Sequence, residues 1–192
     1  MKKNEISSQW EIVIRFLFIS LFVFGFLYPL TITGITKLFF LEKANGSLIR
    51  LNGKVVGSEL LSQKLNSNSM FRYRPSAADY GKIPSGASNL SPSSLELQTM
   101  INERKLELDR LGIRHTVCSE LLYSSGSGLD PHISVGCARE QAEFLHRVSK
   151  VPLEVINELI QQNIEYPIWG MMGRDRVNVT KLNLSWKQMT HE

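Results

Sequence analysis

Between Arg15 and Lys37 the chain runs for 21 residues, Phe16 to Thr36, without a single charged side chain. A helix rises 1.5 Å per residue, so such a stretch spans roughly 31 Å, about the hydrocarbon thickness of a bilayer. Ile12, Val13 and Ile14 lengthen it at the start, and Arg15 can reach its guanidinium toward headgroups. Trp10 and Tyr28 suit a membrane interface, with Tyr28-Pro29 marking a kink or an exit point. A secretory signal would be shorter and would end in small residues at a cleavage site. Here Lys37-Leu38-Phe39-Phe40-Leu41 follows instead. A core helix would be amphipathic, whereas this stretch is apolar all round. The expected organisation is an N-terminal tail (1–11), an uncleaved transmembrane helix (12–36) and an extramembrane domain (37–192). Orientation is not set by charge: Lys2, Lys3 and Arg15 precede the span, and Lys37, Lys43 and Arg50 follow it.

The span accounts for a skewed composition. Seven of the nine Phe lie between Phe16 and Phe40, and a mean hydropathy of −0.09 averages this segment with a polar remainder. Lys and Arg number 22 against 18 Asp and Glu, with no basic run, which argues against a nucleic-acid-binding face. Apolar residues recur through the polar part, which argues against disorder. Cys118 and Cys137 are too few for a disulfide scaffold or a zinc site, even with His115 and His132 nearby. They read as two partly buried thiols, or as one disulfide if this part lies outside the cytoplasm.

In the polar part, Ser47 to Val56 reads as a β-hairpin turning at Asn52-Gly53. Residues 58–87, rich in Ser, Asn, Gly and Pro, read as a long ordered loop. A helix is expected from a capping box at Ser93 and Glu96 to Gly112 as C′ residue, its stripe being Leu97, Ile101, Leu108 and Leu111. Thr116 to Tyr123 reads as a strand. A second helix starts at Ser134 and runs to Val148 on Ala138, Ala142, Leu145 and Val148. A third begins near Pro152 with Val155, Ile156, Leu159 and Ile160. Arg176 to Thr180 alternates like a strand, and a polar tail follows. Strands and helices mix without a βαβ rhythm, so the fold class is a single N-terminal transmembrane helix followed by a mixed α/β (α+β) domain.

Catalytic constellations are not visible. Ser127, Asp130 and His132 offer triad residue types, but 125–129 reads S-G-S-G-L rather than the G-x-S-x-G of a nucleophile elbow. Gly81-Lys82 and Gly53-Lys54 do not complete a phosphate loop. The Gly/Ser turn at 124–128 precedes a helix and could offer N–H groups to an anion. Arg72 and Arg74, beside Phe71 and Tyr73, could meet an acidic partner. Asn45, Asn89, Asn178 and Asn183 each begin N-x-[ST], which says little without a known compartment. From the residues alone this is a single-span anchored domain. Two functional classes are open to such a domain: an anchored hydrolase using Ser127 and His132, and an anchored envelope binding module.

The order of short motifs is more telling. It runs Tyr28-Pro29-Leu30, Ala44-Asn45-Gly46-Ser47-Leu48-Ile49, Gly57-Ser58, Arg74-Pro75-Ser76-Ala77 and Ser88-Asn89-Leu90-Ser91-Pro92. It continues through Ser125-Gly126-Ser127-Gly128-Leu129-Asp130-Pro131-His132-Ile133-Ser134, Gln141, Arg147-Val148, Gly173, Arg176-Val177-Asn178-Val179 and Leu182-Asn183-Leu184. In this collinear series the chain resembles the C subunit of the bacterial Kdp-type, high-affinity potassium-transporting ATPase. It departs from the family's pattern at Tyr73, Ala87, Val135 and Leu184-Ser185-Trp186, and its cysteines are not part of that pattern.

The resemblance implies a non-catalytic accessory subunit of an ATP-driven potassium uptake pump. Its implied partners are a channel-like potassium-translocating subunit, a P-type ATP-hydrolysing subunit and a small membrane peptide. It implies a single-pass protein of the bacterial inner membrane, N-terminus cytoplasmic and domain extracytoplasmic. It implies no metal and no tightly bound cofactor. ATP would enter only through a site shared with the hydrolysing subunit, whose ATP affinity the C subunit is described as raising. By analogy the nucleotide contact falls on Gln141 and the turn Ser125, Gly126, Ser127 and Gly128, and a domain outside the cytoplasm conflicts with that assignment. Read from the residue alone, Gln141 is a helix-surface glutamine bonding locally or to a partner. Asn45, Gly46, Arg74, Pro75, Asn89, Asp130 and Asn178 are expected to serve structure or partner contact.

Overall fold

A computed structural model describes residues 2–51, 53–81 and 83–190. It divides into two compact units, Met1–Leu48 and Ile49–Glu192. The first is one long helical rod: α1 (Lys2–Phe22), a π-helical turn (Val23–Leu27) and α2 (Tyr28–Phe39). The π turn has an identifiable cause. Pro29 has no N–H to give to the residue-25 carbonyl, and its ring crowds that group. The backbone widens by one residue just before it, so that Tyr28 N–H donates to the Val23 carbonyl. The helix therefore bends its bonding pattern at Tyr28-Pro29 and continues. Residues Gln9–Phe39, 31 in all, are long and apolar enough to cross a bilayer, and none of their large side chains is buried within the chain. Thr31 and Thr36 turn their hydroxyls back to the carbonyls of Leu27 and Ile32 (2.8 and 2.9 Å), as hydrocarbon requires. A short helix, α3 (Leu41–Ala44), follows.

The second unit opens with the hairpin β1 (Leu48–Leu51) and β2 (Lys54–Ser58). Asn52, the expected first turn residue, lies outside the described residues, as does Lys82. The chain then crosses to residue 94 without a helix or strand among the described residues. After α4 (Leu95–Leu111) come β3 (His132–Ser134), α5 (Val135–Ser149), α6 (Leu153–Gln162), β4 (Ile164–Glu165), β5 (Arg176–Asn178) and α7 (Val179–Thr190). The three short strands form an antiparallel sheet in the order β3-β5-β4, with Ile133 opposite Val177 and Val177 opposite Ile164. Ala138, Ala142 and Leu145 of α5, Ile156 and Ile160 of α6, and Val179, Leu182 and Trp186 of α7 close one core with Val177 and Phe71.

Helix boundaries follow capping chemistry. Ser94, not Ser93, caps α4, accepting from Leu97 N–H at 3.2 Å, and Gly112 ends the helix in the left-handed region (φ 67°). Ser134 caps α5 by accepting from Cys137 N–H at 3.2 Å. Other expectations are corrected. Thr116 to Tyr123 is not a strand but turns and one 3₁₀ segment (Ser119–Leu121). There Cys118, Leu121 and Leu122 all face inward, a spacing that the alternation of a half-buried strand does not give. The strand expected over Arg176 to Thr180 stops at Asn178, and the expected polar tail is part of helix α7, because Val179, Leu182, Trp186 and Met189 repeat at helical spacing against the core. Val148, expected on the apolar stripe of α5, is half exposed at the helix end. Cys118 and Cys137, left open between thiols and a bridge, form a disulfide.

Candidate functional site

The long loop 59–80 has no strand partner, yet its backbone must be satisfied. Two side-chain amides supply what a neighbouring strand would. Phe71 N–H donates to Asn183 Oδ1 and Asn183 Nδ2 donates to the Phe71 carbonyl, both at 2.9 Å. At the next residue, Arg72 N–H donates to Gln141 Oε1 (2.7 Å) and Gln141 Nε2 donates to the Arg72 carbonyl (3.3 Å). Successive residues of an extended chain present their groups to opposite sides, so α7 grips one side and α5 the other. Gln141 is accordingly not a surface residue: it is 1% exposed, one turn from the Cys118–Cys137 bridge. The loop is stapled at further points. Trp186 Nε1 donates to the Ser69 carbonyl (2.8 Å), Thr180 Oγ1 to the Leu61 carbonyl (3.1 Å) and Asn178 Nδ2 to the Glu59 carbonyl (2.7 Å). Asn178 also caps α7, its Oδ1 accepting from Thr180 and Lys181 N–H. The Tyr73 hydroxyl meets Thr180 Oγ1 at 3.1 Å, and burial pushes its pKa up.

The Ser125–Ser134 block closes over this loop. Ser125 N–H donates to the Pro75 carbonyl, and Gly128 N–H to the Ser125 carbonyl. Leu129 N–H donates to Ser127 Oγ (3.1 Å) and Asp130 N–H to Ser125 Oγ (3.4 Å). Gly128 must be glycine: its φ is 70°, and a Cβ there would sit 2.9 Å from the Gly86 carbonyl oxygen. A chain of charges then runs across the sheet edge. Arg74 Nη1 lies 3.1 Å from Asp130 Oδ2, and His132 stands between Asp130 (3.3 Å) and Glu165 (3.2 Å). Glu165 also meets Arg176 (3.1 Å) and Lys181 (3.3 Å), and Lys181 reaches Glu59 (3.0 Å). The hydrogen bond from His132, more than Arg74, holds the Asp130 carboxyl below the usual range. Burial alone would raise Glu165, but Arg176 and Lys181 outweigh it and lower its pKa. Burial likewise acts against the Lys181 ammonium, yet Glu59 and Glu165 raise its pKa. On the other side of α5, Arg114 grips Glu140 with Nε and Nη2 (3.1 and 2.6 Å to Oε2), which lowers the Glu140 pKa.

Residues 11–188 match the family model described as KdpC, the c chain of the K+-transporting ATPase. The chain belongs to this family. Among curated relatives, the potassium-transporting ATPase KdpC subunit of Caldanaerobacter subterraneus subsp. tengcongensis is 39% identical over 175 residues, covering 90% of this chain and 91% of the relative. The KdpC subunit of Pseudomonas aeruginosa PAO1 is 41% identical over 164 residues, covering 85% and 87%. That of Bacillus cereus Q1 is 34% identical over 192 residues, covering 98% of each chain.

Seven of the expected site residues fall on the stapling just described. Arg74, Pro75, Ser125, Gly128, Asp130, Gln141 and Asn178 are brought together around the loop, by contacts within this chain. Asn45 and Gly46 end α3 instead, Gly46 N–H donating to the Lys43 carbonyl, while Asn89 is an exposed residue in the left-handed region (φ 52°). Gly126 and Ser127 are exposed beside the buried Ser125. As a nucleotide cradle the set fits poorly. Both ends of the Gln141 amide are engaged by Arg72, and the N–H groups of Ser125, Gly128, Leu129 and Asp130 are spent within the fold. Ser127 and His132 do not form a nucleophile–base pair among the described residues: the Ser127 hydroxyl serves Leu129, and both imidazole nitrogens face carboxylates. Sequence reasoning missed Asn183, Trp186 and Glu165 as site residues. Asn183 carried no clear signal, since the apolar stripe around it on α7 emerges only on packing, and Glu165 carried none either.

Proposed function

We propose that the chain is a non-catalytic accessory subunit of an ATP-driven potassium uptake pump, held in the bacterial inner membrane by the Gln9–Phe39 helix. The observation that carries this reading is the family match from residue 11 to 188, which takes in the span and the whole stapled domain. Its partners are the channel-like potassium-translocating subunit, the P-type ATP-hydrolysing subunit and a small membrane peptide. The N-terminus is cytoplasmic and the domain extracytoplasmic, an orientation supported by the Cys118–Cys137 disulfide, since such bonds persist in oxidising compartments. The domain stabilises the assembled pump. Any gain in ATP affinity reaches the hydrolysing subunit through subunit contacts, because Gln141, Ser125 and Gly128, of the residues proposed for direct contact, are engaged in holding the fold. Affinity purification from membranes tests this: the chain is expected to bring down a P-type ATPase subunit, and its deletion to lower potassium uptake. Recovery without any ATPase subunit would refute it.

A further inference from the structure

Strands β4 and β5 are joined by residues 166–175, which form a projecting arm of the sheet. Its tip is closed by paired backbone bonds: Ile168 N–H donates to the Met172 carbonyl (3.2 Å) and Met172 N–H to the Ile168 carbonyl (3.1 Å). Trp169 and Gly170 both hold left-handed backbone (φ 54° and 71°), a conformation that a bulky tryptophan adopts only where its surroundings or its task require it. The tip is apolar, and apart from the Tyr166 hydroxyl, which accepts from Gln161 Nε2 at 3.0 Å, its side chains stand in the open. Trp169 is 83% exposed and Met171 82%, with Tyr166, Ile168 and Met172 all above 60%. None of the five belongs to the hydrophobic core or packs against it. A contiguous apolar patch of this kind on a folded domain marks a contact surface.

We infer that the Tyr166–Met172 tip inserts into the interfacial layer of the same membrane that holds the chain's helix. Three observations choose the bilayer. Tryptophan and tyrosine with aliphatic neighbours and a flanking cation, here Arg174, are the composition of membrane-interface anchors. The span ends at Phe39 and β1 begins at Leu48 with helix α3 between them, so the connecting segment reaches roughly 25 Å. Covalent tethering to the span keeps the domain at a high effective concentration near the bilayer surface. Finally, the tip is pre-closed, so insertion does not require the loop to be ordered first. The inference rests on the Gln9–Phe39 helix being a membrane span.

The test uses the full chain carrying Trp169→Cys, labelled with the environment-sensitive dye NBD; Cys118 and Cys137 are bonded to each other and leave the new thiol as the reactive one. Reconstitution is into vesicles of phosphatidylcholine with a minority of phosphatidylglycerol, without other pump subunits. NBD at position 169 is expected to emit at shorter wavelength than in detergent-free peptide controls, to be quenched by headgroup-region spin-labelled lipid and to resist aqueous iodide. A Met171→Cys reporter is expected to behave alike, and Arg174→Glu to weaken the lipid quenching. Dye that stays open to iodide in vesicles that float with the protein overturns the inference while leaving the span intact. Shielding that arises only when the other pump subunits are added also overturns it, in favour of a protein contact. Failure of the chain to float with vesicles refutes the span itself.

Discussion

Gln141 offers the sharpest mutational test, because a fold-holding role and a nucleotide role give opposite results. Gln141→Ala removes the acceptor for Arg72 N–H and the donor for the Arg72 carbonyl, bonds of 2.7 and 3.3 Å, at a site 1% exposed. A polar backbone group left unpaired away from water costs about 1–3 kcal/mol, and two are exposed to that loss here, partly relieved by water at half-buried Arg72. The expected loss is about 2–4 kcal/mol, a large part of a typical domain's stability. In urea, with a slope of about 2 kcal/mol per molar, the midpoint should fall by about 1–2 M. The assay is urea unfolding of the full chain in detergent followed by near-ultraviolet circular dichroism, where the Phe71–Trp186 edge contact reports on the clamp. Gln141→Glu keeps an acceptor but turns an anion toward the Arg72 carbonyl, so it should lose most of the same stability at neutral pH. An unchanged midpoint together with a raised KM for ATP in the assembled pump would refute the reasoning.

Other outcomes follow from the same structure. Gly128→Ala should cost at least about 1–2 kcal/mol, because the residue must hold a positive φ and its Cβ would meet the Gly86 carbonyl at 2.9 Å. Gly126→Ala, with open space around the Cβ, should unfold at nearly the wild-type midpoint, and a similar loss in both would show that the close approach to Gly86 does not matter. The acid limb of stability should follow Asp130, Glu140 and Glu165, whose folded pKa values all lie below their ordinary values. As pH falls the unfolded chain takes up protons first. Stability should therefore be flat near neutrality and decline below about pH 4.5, which urea midpoints across pH would measure. Replacing Glu140 with Gln should flatten part of that decline.

How much of this was readable beforehand differs by element. The span was legible because a bilayer imposes one requirement, an uncharged run of sufficient length, that a single sequence displays in full. The caps at Ser134 and Gly112 and the α5 stripe were legible for a similar reason: each is settled within one or two helical turns. The strand expected at Thr116 to Tyr123 failed because Cys118, Leu121 and Leu122 owe their burial to a disulfide and a 3₁₀ turn, not to a sheet neighbour. The α7 helix was missed because polar Lys181, Asn183, Ser185 and Lys187 masked a stripe that only packing reveals. The site was the least legible part. Gln141 and Asn183 lie 42 positions apart in sequence and meet only by gripping opposite sides of Phe71 and Arg72. The motif order identified the family without saying what its residues do, and several of them prove to be partners of backbone groups within the same chain.

The proposed extracytoplasmic placement of the domain is tested most directly by protease access. Proteinase K added to intact spheroplasts carrying the full chain should digest the domain after Leu48 and leave a fragment of the size of the Gln9–Phe39 span and its flanks. A domain that survives until the membrane is permeabilised would place it with cytoplasmic ATP and contradict the proposed orientation and the structural role given to Gln141.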